Sequence, residues 1–271
     1  MGDVINIHLE DRGLVDLTFL HGRHSPTLSI LCRDNRSNTK LNLKTYKIDI
    51  QRKELKLDQP TLLNVDRNSY KIMSVPAPIC GVVLFNTGSI MYLDSGAITK
   101  QVVAIAECRI TTYALIEQDA RGARFLLSDD SGTLYVLTLH LGDSVANGEV
   151  SHITLDIVGD TSLASALNYL GDGVLFVASG LANSQLLRLR DTEDEDGNFL
   201  EVMDLYDNAG PILDMCVTAS ERQGQSRVVT CSGGLKGGAL RVIRSGISIE
   251  EQVRMLGPPS GGGGRHMNST I

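Results

Sequence analysis

The sequence predicts an all-β fold, a β-propeller of about five four-stranded blades, and three observations carry that prediction. Convincing helical periodicity is absent along the 271 residues. Short runs of apolar or alternating residues recur, bounded by Gly, Asp, Asn and Ser, which is how strands read. The runs also repeat as a programme: a continuous apolar strand, a polar or glycine-bearing turn, then an alternating strand. A β-sandwich or a β-helix also contains many strands. The regular four-strand period is what favours the propeller.

The paired strands at the heart of the units are TLSILCR with LKTYKIDI, GVVLFN with SIMYLD, ARFLLSD with TLYVLTL, GVLFVAS with QLLRLR, and SRVVTCS with ALRVIRS. Centred on Ile30, Val83, Leu126, Phe176 and Val229, the first members lie 53, 43, 50 and 53 residues apart. One further strand precedes each pair: LVDLTFL, YKIMSV, ITTYALI, SALNYL and ILDMCVT. Another follows: LKLDQPTLLNV, KQVVAIA, SHITLDIV, LEVMDLY and ISIEEQV. One small twisted sheet cannot bury both faces alone, but stacking on its neighbours buries them. Inner strands should then be apolar throughout, as VVLF and VLFVA are.

Two segments fall outside the repeat. VINIHL, near the start, alternates like the last strand of an earlier blade, and GPPSGGGGRHMNSTI has no packing potential. Residues 1–257 are therefore expected to form a partial propeller and 258–271 a flexible glycine-rich tail. An open propeller leaves two blade faces uncovered, so the segment alone should be fragile or need a partner.

Composition excludes several functions. A net charge of −7 argues against a general nucleic-acid surface, and the low aromatic content argues against a base-stacking platform. No signal peptide or membrane-spanning run is present in the sequence. The cysteines, Cys32, Cys80, Cys108, Cys216 and Cys231, are odd in number and form no CxxC pair. At least four sit in apolar runs, the pattern of reduced thiols packed as small hydrophobes in the nucleus or cytoplasm.

No motif supplies a catalytic residue, a metal site or a cofactor site. The stretch CSGGLKGG looks like a phosphate cradle, but Lys236 precedes Gly237 rather than following the last glycine, no Ser or Thr comes next, and a strand follows instead of a helix. It reads as a strand-to-strand turn. Its glycines Gly233, Gly234, Gly237 and Gly238 permit positive φ and a close backbone approach. The acidic run DTEDEDGN, Asp191 to Asn198, fails the calcium-loop pattern and reads as a solvated hairpin loop. His21 and His24 lack the further ligands a zinc ion needs. No GxSxG elbow occurs.

The end of the chain adds a resemblance. YDNAGPILDMCVTASERQGQSRVVTCSGGLKGGALRVIRSGI resembles the family of damaged-DNA-binding-protein large subunits, the adaptors of cullin-RING ubiquitin ligases. Similarity continues upstream through LGDGVLFVASGLANSQLLRL and GARFLLSDDSGTLYVL, and more weakly toward residue 2. The splicing-factor and polyadenylation-factor large subunits share the plan but fit less well. The resemblance implies a piece of the first, seven-bladed propeller and a non-enzymatic scaffold in nucleus and cytoplasm. It also implies that WD40-type substrate receptors dock a helix in a cleft between the first and third propellers. The cullin would bind only an absent second propeller, and no direct nucleic-acid or membrane contact is expected. The implied receptor surface maps to Gly180, Leu181 and Ala182; Pro211, Ile212 and Leu213; and Gly233, Gly234 and Leu235. The family commonly has a basic residue where Gly180 stands and an aromatic one where Leu235 stands, and the loss of both would weaken a charged contact and an aromatic anchor. From the residues alone, the apolar side chains on these turns either form a groove for a helix or cap the propeller's own core. The rival readings are a propeller subunit of an RNA-processing complex and, more remotely, an enzyme built on a propeller.

Overall fold

The structure, a computed structural model, describes residues 6–34, 40–96, 99–119, 121–142, 149–194, 197–219 and 226–244. They form nineteen strands and one 3₁₀ turn. The first sheet contains β1 (Leu14–Phe19), β2 (Thr27–Arg33), β3 (Leu41–Asp49) and β4 (Glu54–Val65). The second contains β5 (Ser69–Ser74), β6 (Val82–Asn86), β7 (Ser89–Leu93) and β8 (Lys100–Ala104). The third contains β9 (Ile110–Asp119), β10 (Gly122–Asp129), β11 (Thr133–Leu141) and β12 (Val150–Asp160). The fourth contains β13 (Ala166–Gly171), β14 (Val174–Ala178), β15 (Ser184–Leu189) and β16 (Leu200–Tyr206). The fifth has β17 (Ile212–Ala219), β18 (Ser226–Ser232) and β19 (Ala239–Arg244). Within each sheet every strand bonds to the next in sequence, the up-and-down order of propeller blades. The fold class is thus the expected one, an all-β partial propeller. The expected last strand, ISIEEQV, and the glycine-rich tail lie outside the described residues, and so does the boundary between propeller and tail.

The chain divides into two compact units. Met1–Leu127 with Tyr135–Ile157 make the first, and Ser128–Leu134 with Val158–Ile271 make the second. In the first unit, β6 explains why inner strands read as unbroken apolar runs. Successive side chains point to opposite faces of a sheet. Val82 and Leu84 join a cluster with Leu31, Leu43 and Ile72. Val83 and Phe85 join a second cluster with Phe125, Leu127, Tyr135 and Leu137. Both faces are dry, so no polar residue alternates with the apolar ones. Each such side chain contributes roughly 1.5–3 kcal/mol by leaving water.

Turn chemistry closes the hairpins. Between β10 and β11, Asp129 Oδ1 accepts the N–H groups of Ser131 and Thr133 at 2.9 and 2.8 Å. Gly132 completes that turn at φ +90°, where a side chain would meet the Thr161 carbonyl at 2.6 Å. The acidic loop behaves likewise: Asp194 Oδ1 accepts the Asn198 N–H at 2.8 Å. In the HGRH segment, His21 and His24 are exposed, and Arg23 is the anchor. Its Nη2 donates to the carbonyls of Gln59 and Ser95 at 2.7 and 2.8 Å.

Two expectations are corrected. Residues 6–9, the described part of VINIHL, are not a strand; β1 begins at Leu14 and the first sheet is complete without them. This segment is instead fastened by Asp11, whose buried carboxylate accepts from Lys44 Nζ and Tyr46 Oη. The cysteines are not uniformly packed away. Cys32 is buried, Cys80 and Cys108 are half-buried, and Cys216 and Cys231 are exposed on the fifth sheet. Burial, with Asp11 nearby, pushes the Cys32 thiol up to about 11. At pH 8 its thiolate fraction is then about a hundredth or less of an ordinary thiol's. Iodoacetamide should modify Cys216 and Cys231 while Cys32 stays unmodified until the protein is unfolded. Mass spectrometry of the labelled protein checks the order, and early modification of Cys32 would contradict its burial.

The first and fifth sheets each carry exposed apolar residues, Leu14, Leu17 and Phe19 on β1 and Met215 and Val217 on β17. Among the described residues, no helix is long and apolar enough to cross a membrane.

Candidate protein-interaction site

The second unit brings together the three segments that the sequence kept apart. The first is the loop after β14, Gly180 to Ala182. Ser179 builds it: its Oγ accepts the N–H groups of Leu181 and Ala182 at 3.3 and 3.0 Å. Ser165 Oγ accepts the Gly180 N–H at 3.0 Å. The second is the start of β17, where Pro211 leads into Ile212 and Leu213. The third is the turn between β18 and β19, a single 3₁₀ turn over Leu235–Gly237.

Backbone hydrogen bonds join all three. Gly233 N–H donates to the Pro211 carbonyl at 2.9 Å, and Gly234 N–H donates to the Leu181 carbonyl at 2.7 Å. The glycines make this approach possible, though only partly by the route expected. Gly233 alone among the four has positive φ, +79°. A Cβ there would lie 2.0 Å from the Gly237 carbonyl oxygen and 3.0 Å from that of Leu181. Gly237 contributes by its missing side chain, since a Cβ would meet the Ala182 Cβ at 2.3 Å.

Gly233→Ala should therefore destabilise the protein by about 2–4 kcal/mol, from left-handed strain plus a clash with backbone. Gly171→Ala is the control: it has φ +102° but open space around its Cβ position, so it carries the strain without the clash. Thermal melts of the two variants separate the effects, and equal losses would contradict the close packing of the three segments.

A polar framework that sequence reasoning missed holds the cluster from below. Asn183 Oδ1 accepts from Arg241 Nη2 at 2.6 Å and from the Asn208 N–H at 3.0 Å. Asn208 Nδ2 donates to the Ser179 carbonyl at 3.0 Å, and its Oδ1 accepts the Gly210 N–H at 3.1 Å. Asn in such loops is a turn signal, but nothing in the spacing of 183, 208 and 241 announces a shared network.

The predicted residues divide by exposure. Ala182 and Gly233 are buried and act as framework. Leu181, Ile212, Leu213 and Leu235 are 37, 50, 77 and 78% exposed, so they do not cap the core. Leu235 also sits at φ +51°, a left-handed conformation that leucine rarely adopts. The arrangement is an apolar surface on a hydrogen-bonded base, with several backbone donors already spent inside it. Such a surface suits the apolar face of a partner helix better than a polar ligand.

A family model described as the RSE1/DDB1/CPSF1 first β-propeller matches residues 2–223. That span includes the first two segments of the site and ends before Gly233. Over 250 residues, 92% of the chain, the sequence is 36% identical to DNA damage-binding protein 1 of Oryza sativa subsp. japonica. It is 34% identical to DNA damage-binding protein 1b of Arabidopsis thaliana and 35% identical to DNA damage-binding protein 1 of Solanum lycopersicum over the same length. The chain spans only 22% of each of these relatives.

Proposed function

The chain belongs to the RSE1/DDB1/CPSF1 first β-propeller family, and from that membership we propose that it is a non-enzymatic interaction scaffold. In this reading it supplies part of the substrate-receptor-binding propeller of a cullin-RING ubiquitin ligase adaptor that serves DNA repair and protein ubiquitination. WD40-type receptors dock a helix on Leu181, Ile212, Leu213 and Leu235, with Gly180, Ala182, Pro211, Gly233 and Gly234 shaping the surface. The cullin binds elsewhere, through a second propeller. The remaining propellers complete the cleft, and the exposed apolar residues on the first and fifth sheets meet further blades. The protein acts in the nucleus, in keeping with the DNA damage-binding name its relatives carry. Damaged DNA is contacted by the receptor rather than by this chain, whose net charge is −7.

The observation that carries the proposal is Leu235. It combines left-handed backbone with 78% exposure. Both features cost the isolated fold stability, so a partner that covers the side chain is the physical reason to keep it.

Affinity capture with the full-length protein that contains this propeller tests the assignment. A cullin and WD40 receptors are the expected captures. Recovery of splicing or 3′-end-processing factors instead would replace the proposal with the RNA-processing reading.

A further inference from the structure

We propose that His140 and His152 form a proton-sensitive joint at the edge of the third sheet, closed while at least one of the two rings is neutral and loosened when both are charged. His140 stands on β11 and His152 on β12, the edge strand bonded to it. Their imidazole rings lie stacked, with centroids 4.2 Å apart and planes 4° apart.

Hydroxyls of β12 hold both rings in place. Ser151 Oγ donates to the His140 carbonyl at 3.1 Å and lies 3.0 Å from His152 Nδ1. Its one proton is spent on the carbonyl, so it accepts from Nδ1–H. Thr154 Oγ1 meets His140 Nε2 at 3.0 Å. Ile153, between His152 and Thr154 in sequence, points the other way, into the buried cluster with Leu137 and Leu139. The strand that carries the polar stack therefore also closes part of the core.

The stack tolerates one positive charge but not two. A single imidazolium has a neutral ring beside it. Two would face each other across 4.2 Å, in a contact partly shielded from water, where like charges oppose each other strongly. Burial, followed by the charge of His152, holds His140 below the ordinary imidazole value of 6.5, and Asp156 acts in the opposite sense. The fold therefore favours a neutral His140. That contribution is complete above about pH 6.5 and is lost as pH falls through the lowered value. The other charged groups near His140 balance. Glu117 and Asp119 of β9, Arg121 ahead of β10 and Arg124 of β10 line the hollow beside it. Glu117 pairs with Arg124, and Asp119 Oδ1 accepts the N–H groups of Arg121 and Gly122 at 2.8 and 3.1 Å. Two carboxylates and two guanidiniums leave no net charge there, so the second ring governs the response.

Proton NMR of the imidazole rings from about pH 8 to 4.5 tests the joint, together with hydrogen exchange at about pH 7.5 and 5.0 corrected for the chemical rate. His152→Gln should raise the His140 midpoint by about half a pH unit or more, because the neighbouring charge is gone. Peptides covering 150–157 should exchange about five-fold faster at the lower pH in the parent chain, and change by less than about two-fold in His152→Gln. His24→Gln removes an exposed histidine outside the third sheet and should behave as the parent chain does. A His140 midpoint unmoved by His152→Gln, or an equal loss of protection in the parent and that variant, would overturn the proposal.

Discussion

Ile212→Asp combined with Leu235→Asp, placed in the full-length protein, abolishes receptor capture while the melt stays within about 1 kcal/mol of the unaltered protein. The two parts of this expectation have separate physical causes. A buried apolar anchor at an interface is worth about 2 kcal/mol or more, so losing two weakens binding about a thousand-fold. The aspartates would also bring two unpaired carboxylates into a desolvated contact. The fold is spared because both leaving side chains are already half or more exposed, 50 and 78%. At position 235, aspartate also tolerates φ +51° better than leucine does. Undiminished capture with normal expression would remove these residues from the receptor surface.

Phe85→Ala is expected to have the largest effect on stability. Phe85 is fully buried on β6, within the cluster formed with Phe125, Leu127 and Tyr135. Its ring lies stacked on Tyr113, with centroids 6.3 Å apart and planes 17° apart. Truncation removes the ring's transfer energy and leaves a cavity in a packed interior, together about 3–5 kcal/mol. That is a large part of the 5–15 kcal/mol typical of a whole domain. Urea denaturation of the variant and the parent chain measures the difference. A loss below about 1 kcal/mol would mean that the second and third sheets do not share this core.

Much of the fold was legible in the sequence because a propeller writes its packing into each strand. TLSILCR is β2 to the residue, and VVLFN contains the alternation between two cores that makes an inner strand apolar throughout. Strand ends moved by one to three residues elsewhere, as in β3, which starts at Leu41 rather than Leu43, and β9, which ends at Asp119 rather than Ile116. Pairing extends a ladder wherever a neighbour offers hydrogen bonds, and periodicity does not see the neighbour. VINIHL misled for the same reason: alternation makes a strand possible, but a partner strand makes one.

The site was less legible. Its nine residues came from resemblance, and their spacing gave no reason to join 180, 211 and 233. What joins them is the pair of bonds from Gly233 to Pro211 and from Gly234 to Leu181, with Asn183, Asn208 and Arg241 beneath. Long-range hydrogen bonds between loops leave no period in a sequence. The glycine reading was half right. The turn does need a close approach, but a leucine, not three further glycines, shares the left-handed backbone with Gly233.

Hydrogen–deuterium exchange on the full-length protein, with and without a WD40 receptor, tests the central proposal most directly. Peptides covering 180–182, 211–213 and 233–235 should gain protection together when the receptor is added, while those covering β6 and β10 stay unchanged. Protection confined to other surfaces, with these three segments exchanging as before, would contradict it.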